Sequence, residues 1–130
     1  MDAFRSAAEA GDIEAIAATL ADDVVFRSPV AHKPYRGRDV TKTLLGAVIQ
    51  VFEEFRYARV ISDGADHALV FETRVGDRAI TGCDFIHVNE EGLIDELMVM
   101  VRPLSGLRAL AEAMGARSEV VAVNRPAVGS

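Results

Sequence analysis

The sequence predicts an α+β fold in which helices cover one mainly antiparallel sheet. The predicted elements run helix, helix, strand, helix, four strands and helix, so helices and strands are segregated along the chain rather than alternating. The apolar period changes from 3.6 residues to two after Arg56. A length of 130 residues without an internal repeat is typical of a single domain.

Two short helices open the chain. Apolar residues recur at helical spacing on both sides of Gly11, which ends the first helix, and Asp12 caps the second. These residues are Ala3, Phe4, Ala7 and Ala8 before the break, and Ile13, Ile16, Ala17 and Leu20 after it.

A short strand and the longest predicted helix follow. Residues 24–28 alternate in polarity, and Pro29 ends this strand because proline lacks the N–H that the ladder needs. After Gly37, Asp39 is expected to cap the long helix. Its inner stripe comprises Val40, Leu44, Ala47, Val48, Val51, Phe52 and Phe55.

The second half of the chain predicts a four-stranded antiparallel meander and a last helix. The strands lie near 56–62, 67–75, 79–89 and 93–102, with turn signals between them. Pro103 ends the sheet, and an amphipathic helix runs from Leu104 to Met114, closed by Gly115. We therefore expect one domain over residues 1–115 and a loose tail over residues 116–130.

The hairpin turns determine which side chains share a face of the sheet. Turns centred on residues 76–77 and 90–91 place Asp84 opposite Leu69 and Leu97. The face of Asp84 is otherwise apolar or small, and we expect helices to cover it. Its other members are Leu69, Phe71, Thr73, Ile80, Gly82, Ile86, Val88, Leu97, Val99 and Val101.

The opposite face is mixed but too apolar to remain in water. It presents Phe85, Met98 and Met100, with charged side chains around them. A patch of this kind predicts a homodimer contact. The alternative is that the C-terminal tail folds over it. The charged rim comprises Glu72, Arg74, Glu96 and Arg102.

Asp84 is the principal candidate for a functional residue, because it lies in mid-strand among apolar neighbours. Burial there would raise its pKa, and Gly82 beside it would leave room for a ligand. A neutral carboxyl group is a good hydrogen-bond donor to a substrate carbonyl. Pairing with a buried Arg, Tyr or backbone N–H, or a shifted register, would instead give Asp84 a structural role.

The loop after the first strand supplies further candidates. His32 and Tyr35 are expected near the mouth of a cavity between helices and sheet, although a loop histidine is often only solvated. His67, at a strand start, and His87, on the outer face, are weaker candidates. No metal-ligand spacing, phosphate-binding loop or nucleophile motif is present in the sequence, so we expect no metal and no organic cofactor.

Composition argues against several classes of partner. A formal net charge of −6, without a basic cluster, disfavours binding to nucleic acid or anionic lipid. No apolar run is long enough for a membrane span or signal peptide, so a cytoplasmic protein is expected. The single Cys83 cannot form a disulfide within the chain.

Three segments resemble the nuclear transport factor 2-like superfamily, in particular its SnoaL-like and ketosteroid-isomerase-like branch. They are AAEAGDIEAIAATLADDVVF, SPVAHKPYRGRDV and CDFIHVNEEGLI, and the likeness extends over about residues 3–114. The resemblance implies a curved sheet wrapped by three to four helices into a cone with one apolar pocket. It also implies dimerisation through the outer sheet face.

The resemblance also implies roles for individual residues. In ketosteroid isomerases a protonated Asp and a Tyr bind the oxyanion, and a second Asp transfers the proton. Asp84 matches the oxyanion Asp, whereas the Tyr position falls on Phe4 and the proton-transfer position on Ser28. SnoaL-like cyclases rely on an acidic residue in the pocket, which Asp84 could supply.

The leading functional hypothesis is an enzyme that acts by acid/base chemistry on a hydrophobic carbonyl compound through enolisation, isomerisation or cyclisation. Asp84, Ser28 and His32 would be the catalytic residues. A pocket protein that only binds a ligand and a dimeric interaction module are the alternatives. The expected substrate-binding residues are Phe4, Phe26, Tyr35, Leu69, Phe71, Thr73, Ile86, Leu97, Val99 and Val101.

Overall fold

A computed structural model describes residues 1–125 and contains five helices and six strands in that range. The elements alternate little along the chain, as the sequence predicts for an α+β fold. The helices are α1 (Asp2–Ala10), α2 (Ile13–Ala18), α3 (Arg38–Val51), α4 (Leu104–Gly115) and α5 (Ser118–Asn124). The strands are β1 (Leu20–Arg27), β2 (Tyr35–Arg36), β3 (Glu53–Asp63), β4 (Asp66–Val75), β5 (Arg78–Val88) and β6 (Ile94–Arg102).

All six strands form one curved sheet in the order β2-β1-β6-β5-β4-β3. The β3 to β6 meander is antiparallel, as predicted, whereas β1 pairs in parallel with β6. The parallel pairing places the first strand beside the last, with only the two-residue β2 outside it. The helices cover the inner face, and the mainly antiparallel α+β architecture is confirmed.

The N-terminal helices largely follow the sequence prediction. Gly11 ends α1 in the left-handed conformation at φ 66°, and the Asp12 carboxylate accepts the N–H of Ala15 at 3.1 Å. Leu20 was predicted in the second helix but begins β1 instead. It is fully buried and lies opposite Ile94, so packing in the sheet outweighs its helical spacing.

Two details of α3 differ from the prediction. Gly37 occupies the N-cap position with no side-chain cap, and Asp39 lies in the first turn, where its charge favours the helix dipole. The helix ends at Val51, so Phe52 and Phe55 lie beyond it although they continue its apolar spacing. They point toward the same interior from the start of β3.

The C-terminal segment is the largest departure from the prediction. The helix α5 forms where a loose tail was expected, and Val120 is buried in the core. With α5 the described chain has five helices rather than three or four. Residues 126–130 of the expected tail lie outside the described residues.

The register around Asp84 is partly as predicted. Asp84 lies opposite Leu69 on β4, but it faces Val99 on β6 instead of Leu97. Asn89 explains the difference. Its backbone and side chain bond to residues 91–93 and close a β5–β6 turn that is longer than predicted. The register of the two strands also shifts after His87. The shift is two residues, so the assignment of side chains to faces is unchanged.

The outer face of the sheet is open over the described residues. Phe85 is 38% exposed and Met100 is 54% exposed, while Met98 is partly buried between them. The described part of the predicted tail packs with α3 and α4 on the opposite side. The alternative in which that tail covers Phe85 and Met98 is therefore wrong for residues 116–125.

Candidate active site

A buried pair of polar side chains lies on the inner face of the sheet. The hydroxyl of Tyr57 on β3 donates a hydrogen bond of 2.6 Å to Oδ2 of Asp84 on β5. Asp84 is 7% exposed and Tyr57 is 5% exposed. The hydrogen bond satisfies the phenol and leaves the second carboxyl oxygen of Asp84 for another partner.

Burial controls the protonation of this pair. Loss of hydration raises the pKa of Asp84 to about 7, and the hydrogen bond from Tyr57 opposes part of that rise. The pKa of Tyr57 is also raised, chiefly by burial and then by the negative charge of Asp84. The phenol therefore stays protonated, while Asp84 exchanges its proton near neutral pH.

Irregularities in β3 place Tyr57 beside Asp84. Tyr57 pairs with Phe71 and Arg59 pairs with Val70, so Ala58 is an extra residue in β3. This bulge turns Tyr57 toward the inner face. Its backbone N–H then donates to the carboxylate of Glu9 on α1 at 3.1 Å.

Aromatic rings surround the pair on the β3 side. Phe55 meets Tyr57 edge to face at 5.0 Å between ring centroids, and Phe71 lies 5.1 Å from Phe55. Gly82 does not leave space for a ligand, contrary to the sequence prediction. A Cβ atom at Gly82 would come within 2.2 Å of the Phe71 ring, so the glycine is required by packing.

Asp84 and Tyr57 open onto a cavity of about 300 Å³ between the helices and the sheet. This volume is at the lower end of the range of small-molecule sites. The walls are mainly apolar, and every helix and every strand of the described chain contributes at least one lining residue. The polar or titratable lining residues are Glu9, Ser28, Tyr35, Tyr57, Asp84 and Asn124.

Most of the predicted site residues line this cavity. Ser28 lies just after β1, where its hydroxyl accepts the backbone N–H of Val30 at 3.2 Å. Tyr35 stacks on Phe26 with 6.2 Å between ring centroids. The predicted residues in the lining are Phe4, Phe26, Ser28, Tyr35, Phe71, Asp84, Leu97 and Val99.

The remaining predicted residues lie elsewhere. His32 is exposed in the loop before β2 and does not line the cavity. Thr73 donates its hydroxyl to the backbone carbonyl of Glu53 at 2.8 Å, which explains its burial without a ligand. Leu69, Ile86 and Val101 belong to the core packing around the cavity rather than to its lining.

Three of the six polar lining residues have no counterpart among the predicted site residues. They are Tyr57, Glu9 and Asn124. Alternation of Phe55 with Tyr57 is a signal that these two side chains share a face. Asn124 could not be assigned because the tail was expected either to be loose or to cover the outer face, and not to reach the cavity.

Comparison with known proteins identifies the family. The profile of the SnoaL-like domain matches residues 1–97, which include Tyr57 and Asp84. The chain belongs to the SnoaL-like family. No curated protein matches it.

Solved structures agree with this SnoaL-like assignment. An uncharacterized bacterial protein with a cystatin-like fold from Silicibacter pomeroyi is 42% identical, with a TM-score of 0.86, over 89% of this chain and 82% of that one. A steroid delta-isomerase from Pseudomonas aeruginosa is 43% identical, with a TM-score of 0.83, over 86% and 83% of the two chains. A protein of unknown function with the nuclear transport factor 2-like fold from Mesorhizobium loti shares the fold at 19% identity and a TM-score of 0.69, over 77% and 85%.

Two kinds of feature are absent from the described residues 1–125. No three His, Cys, Asp or Glu side chains in this range converge as a metal site would require. None of the helices described is long and apolar enough to cross a membrane.

Proposed function

We propose that this SnoaL-like protein is an acid/base enzyme that acts on a hydrophobic carbonyl compound by enolisation, isomerisation or cyclisation. Pairing with a buried Tyr was the alternative, structural role predicted for Asp84, and the structure contains that pairing through Oδ2. The observation that carries the proposal is that the same carboxyl group lines an apolar cavity and keeps its second oxygen for a ligand. A carboxyl group whose pKa is about 7 can donate or accept a proton at neutral pH.

The chemistry begins with the protonated form of Asp84. Tyr57 donates to Oδ2, so a proton on Oδ1 can be donated to the carbonyl oxygen of a ligand in the cavity. Negative charge that develops on that oxygen during enolisation is stabilised by this donor, and the low dielectric of the cavity strengthens the effect. Tyr57 fixes the carboxyl orientation and stays protonated throughout.

Removal of a carbon-bound proton requires a base as well as this acid. Ser28 stands where ketosteroid isomerases carry their proton-transfer Asp, and its hydroxyl does not ionise near neutral pH. Glu9 is the other carboxylate in the cavity lining. With Asp84 protonated as the acid, Glu9 would take the carbon-bound proton, and Ser28 would orient the substrate by hydrogen bonding.

The similarity to the steroid delta-isomerase of Pseudomonas aeruginosa supports the proposed type of reaction. At 43% identity the two chains share a fold and most of their length. Isomerisation of a β,γ-unsaturated ketone to its conjugated isomer is therefore the first reaction to assay.

The test is an ultraviolet assay for conjugated enone, with β,γ-unsaturated ketones that carry an apolar body. Asp84→Asn keeps a hydrogen-bond donor in its amide but cannot transfer a proton, so it should lower kcat by roughly 100- to 10,000-fold, the usual contribution of general acid–base catalysis. Asp66→Asn, at an exposed carboxylate on β4, is the matched control and should keep the wild-type rate. Equal rates for wild type and Asp84→Asn would refute the proposed role of Asp84.

A ligand-binding protein without catalysis is the second candidate, favoured by Phe4 and Ser28 at two positions where the isomerases carry catalytic groups. Under this proposal Asp84 donates to a bound ligand that is released unchanged. Saturable binding of these ketones without enone formation would distinguish it from the enzyme.

We also propose that the protein forms a homodimer through the outer face of the sheet. Phe85, Met98 and Met100 supply the apolar centre, and charges of both signs lie around it, so the patch can complement a second copy of itself. Met98→Lys should yield monomers in sedimentation velocity. Leu104→Lys, at an exposed site on α4, is the control, and a dimer that survives Met98→Lys would refute this contact.

A further inference from the structure

The helix α5 closes one end of the cavity through a single polar contact with the sheet. The hydroxyl of Tyr35 on β2 donates to Oδ1 of Asn124 at 2.6 Å, and both residues line the cavity. The amide of Asn124 in turn donates to the backbone carbonyl of Val120 at 3.0 Å, which fixes the orientation of its side chain. Val120, one turn earlier, is buried and also lines the cavity.

This closure lies far from the acid. Tyr35 pairs with Phe26, and Phe26 pairs with Leu97 on β6, the strand next to that of Asp84. Three inter-strand spacings separate the strand of Tyr35 from the strand of Asp84, which is about 14 Å across the sheet. Phe26 and Leu97 form an apolar floor between the two polar ends.

Other contacts hold the start of α5 without involving the cavity. Arg117 pairs with Gln50 on α3 and with Glu119. At the other end of α5, the hydrogen bond from Tyr35 to Asn124 is the one side-chain hydrogen bond that links this helix to the sheet within residues 1–125. Loss of that bond would therefore free the end of α5 that covers the cavity, while its start stays attached.

We infer that Tyr35 and Asn124 determine specificity by limiting the length of ligand that the cavity accepts. This inference rests on the proposed ligand site at Asp84. A ligand whose carbonyl contacts Asp84 extends over Phe26 and Leu97 toward the Tyr35–Asn124 bond. A longer apolar body has to break that bond, so the preferred substrate is one whose length matches the closed cavity.

The test is a homologous series of straight-chain 2-alkanones, with dissociation constants measured by calorimetry. Each added methylene should tighten binding about fourfold while it is buried. In the wild type this gain should stop at the chain length that reaches Tyr35. In Tyr35→Phe, which keeps the ring on Phe26 but removes the donor, the gain should continue to longer chains.

Val121→Ala is the matched control, since Val121 is an exposed residue of α5 outside the cavity lining. It should keep the wild-type limit. The same limit in Tyr35→Phe and wild type would overturn the inference while leaving the proposed ligand site intact. If no 2-alkanone binds the wild type or Tyr35→Phe, the proposed site and the inference both fail.

A second measurement needs no ligand. Amide hydrogen exchange over residues 122–124 should be about fivefold faster in Tyr35→Phe than in wild type, the effect of losing one ordinary hydrogen bond. Exchange in α4 should not change. Unchanged exchange in α5 would mean that the Tyr35 bond does not hold the helix, and would overturn the inference.

Discussion

Replacement of Asp84 by Asn should remove a specific pH dependence of stability. The amide has nearly the same shape and still offers an oxygen to the Tyr57 hydroxyl, but it does not titrate. The pKa of Asp84 is about 7 in the folded protein. An unfolded Asp has a pKa of about 3.9.

The sign of the effect follows from the direction of this shift. Between the two pKa values the folded protein binds more protons at Asp84 than the unfolded chain does, so the free energy of unfolding falls as pH rises. The contribution is fully present below pH ~4 and is lost by the time pH has passed through ~7. A difference of about three pH units corresponds to about 4 kcal/mol.

Urea unfolding of wild type, Asp84→Asn and the exposed control Asp66→Asn, at a fixed protein concentration, measures this contribution. The free energy of unfolding of wild type minus that of Asp84→Asn should fall by about 4 kcal/mol from pH 4 to pH 8. The Asp66→Asn curve should run parallel to that of wild type. A constant difference between wild type and Asp84→Asn would refute the assignment of a raised pKa to Asp84.

Substitutions at three further positions test the surroundings of the pair. Tyr57→Phe removes the hydrogen bond that lowers the Asp84 pKa, so a carboxyl NMR titration should place that pKa above the wild-type value; a lower pKa would contradict the geometry. Gly82→Ala should lower the free energy of unfolding by about 1–3 kcal/mol in urea melts, because the new methyl group overlaps the Phe71 ring; full wild-type stability would show that the ring moves freely. Glu9→Ala leaves the Tyr57 N–H without its acceptor and should lower the free energy of unfolding by about 1–3 kcal/mol in thermal melts. Glu9→Gln keeps an acceptor oxygen and should lower it by less than half as much. Equal losses of stability in the two variants would indicate that only the charge of Glu9 matters.

The sequence was sufficient to predict the elements that depend on local periodicity. The β3 to β6 meander and the placement of Asp84 opposite Leu69 follow from alternation and a short turn at residues 76–77. The pairing with β6 was wrong by two residues because the turn closed by Asn89 is longer than its Glu-Glu-Gly signal indicates. Parity survived, so the inner face could still be predicted.

Tyr57 could not be assigned from the hairpin pattern. Continuous pairing from the β3–β4 turn would place it opposite Glu72 on the outer face. The extra residue at Ala58 reverses that orientation, and bulges of this kind carry no simple sequence signal. The partner of the principal candidate residue therefore required the three-dimensional structure.

The position of α5 is equally a property of the tertiary structure. Seven residues do not form a stable helix alone, so the segment depends on packing of Val120 and on the bond from Tyr35. Neither contact is local in sequence. A loose tail was the natural expectation from the sequence, and over residues 116–125 it was wrong because the cavity offers an apolar surface to cover.

The most direct test is the titration of Asp84 itself. A carboxyl ¹³C NMR titration, with the Asp84 signal assigned by its absence in Asp84→Asn, measures when that single group gains its proton. The account predicts a midpoint near pH 7. A midpoint near pH 4, the ordinary value for a hydrated aspartate, would contradict the proposed donor to a substrate carbonyl.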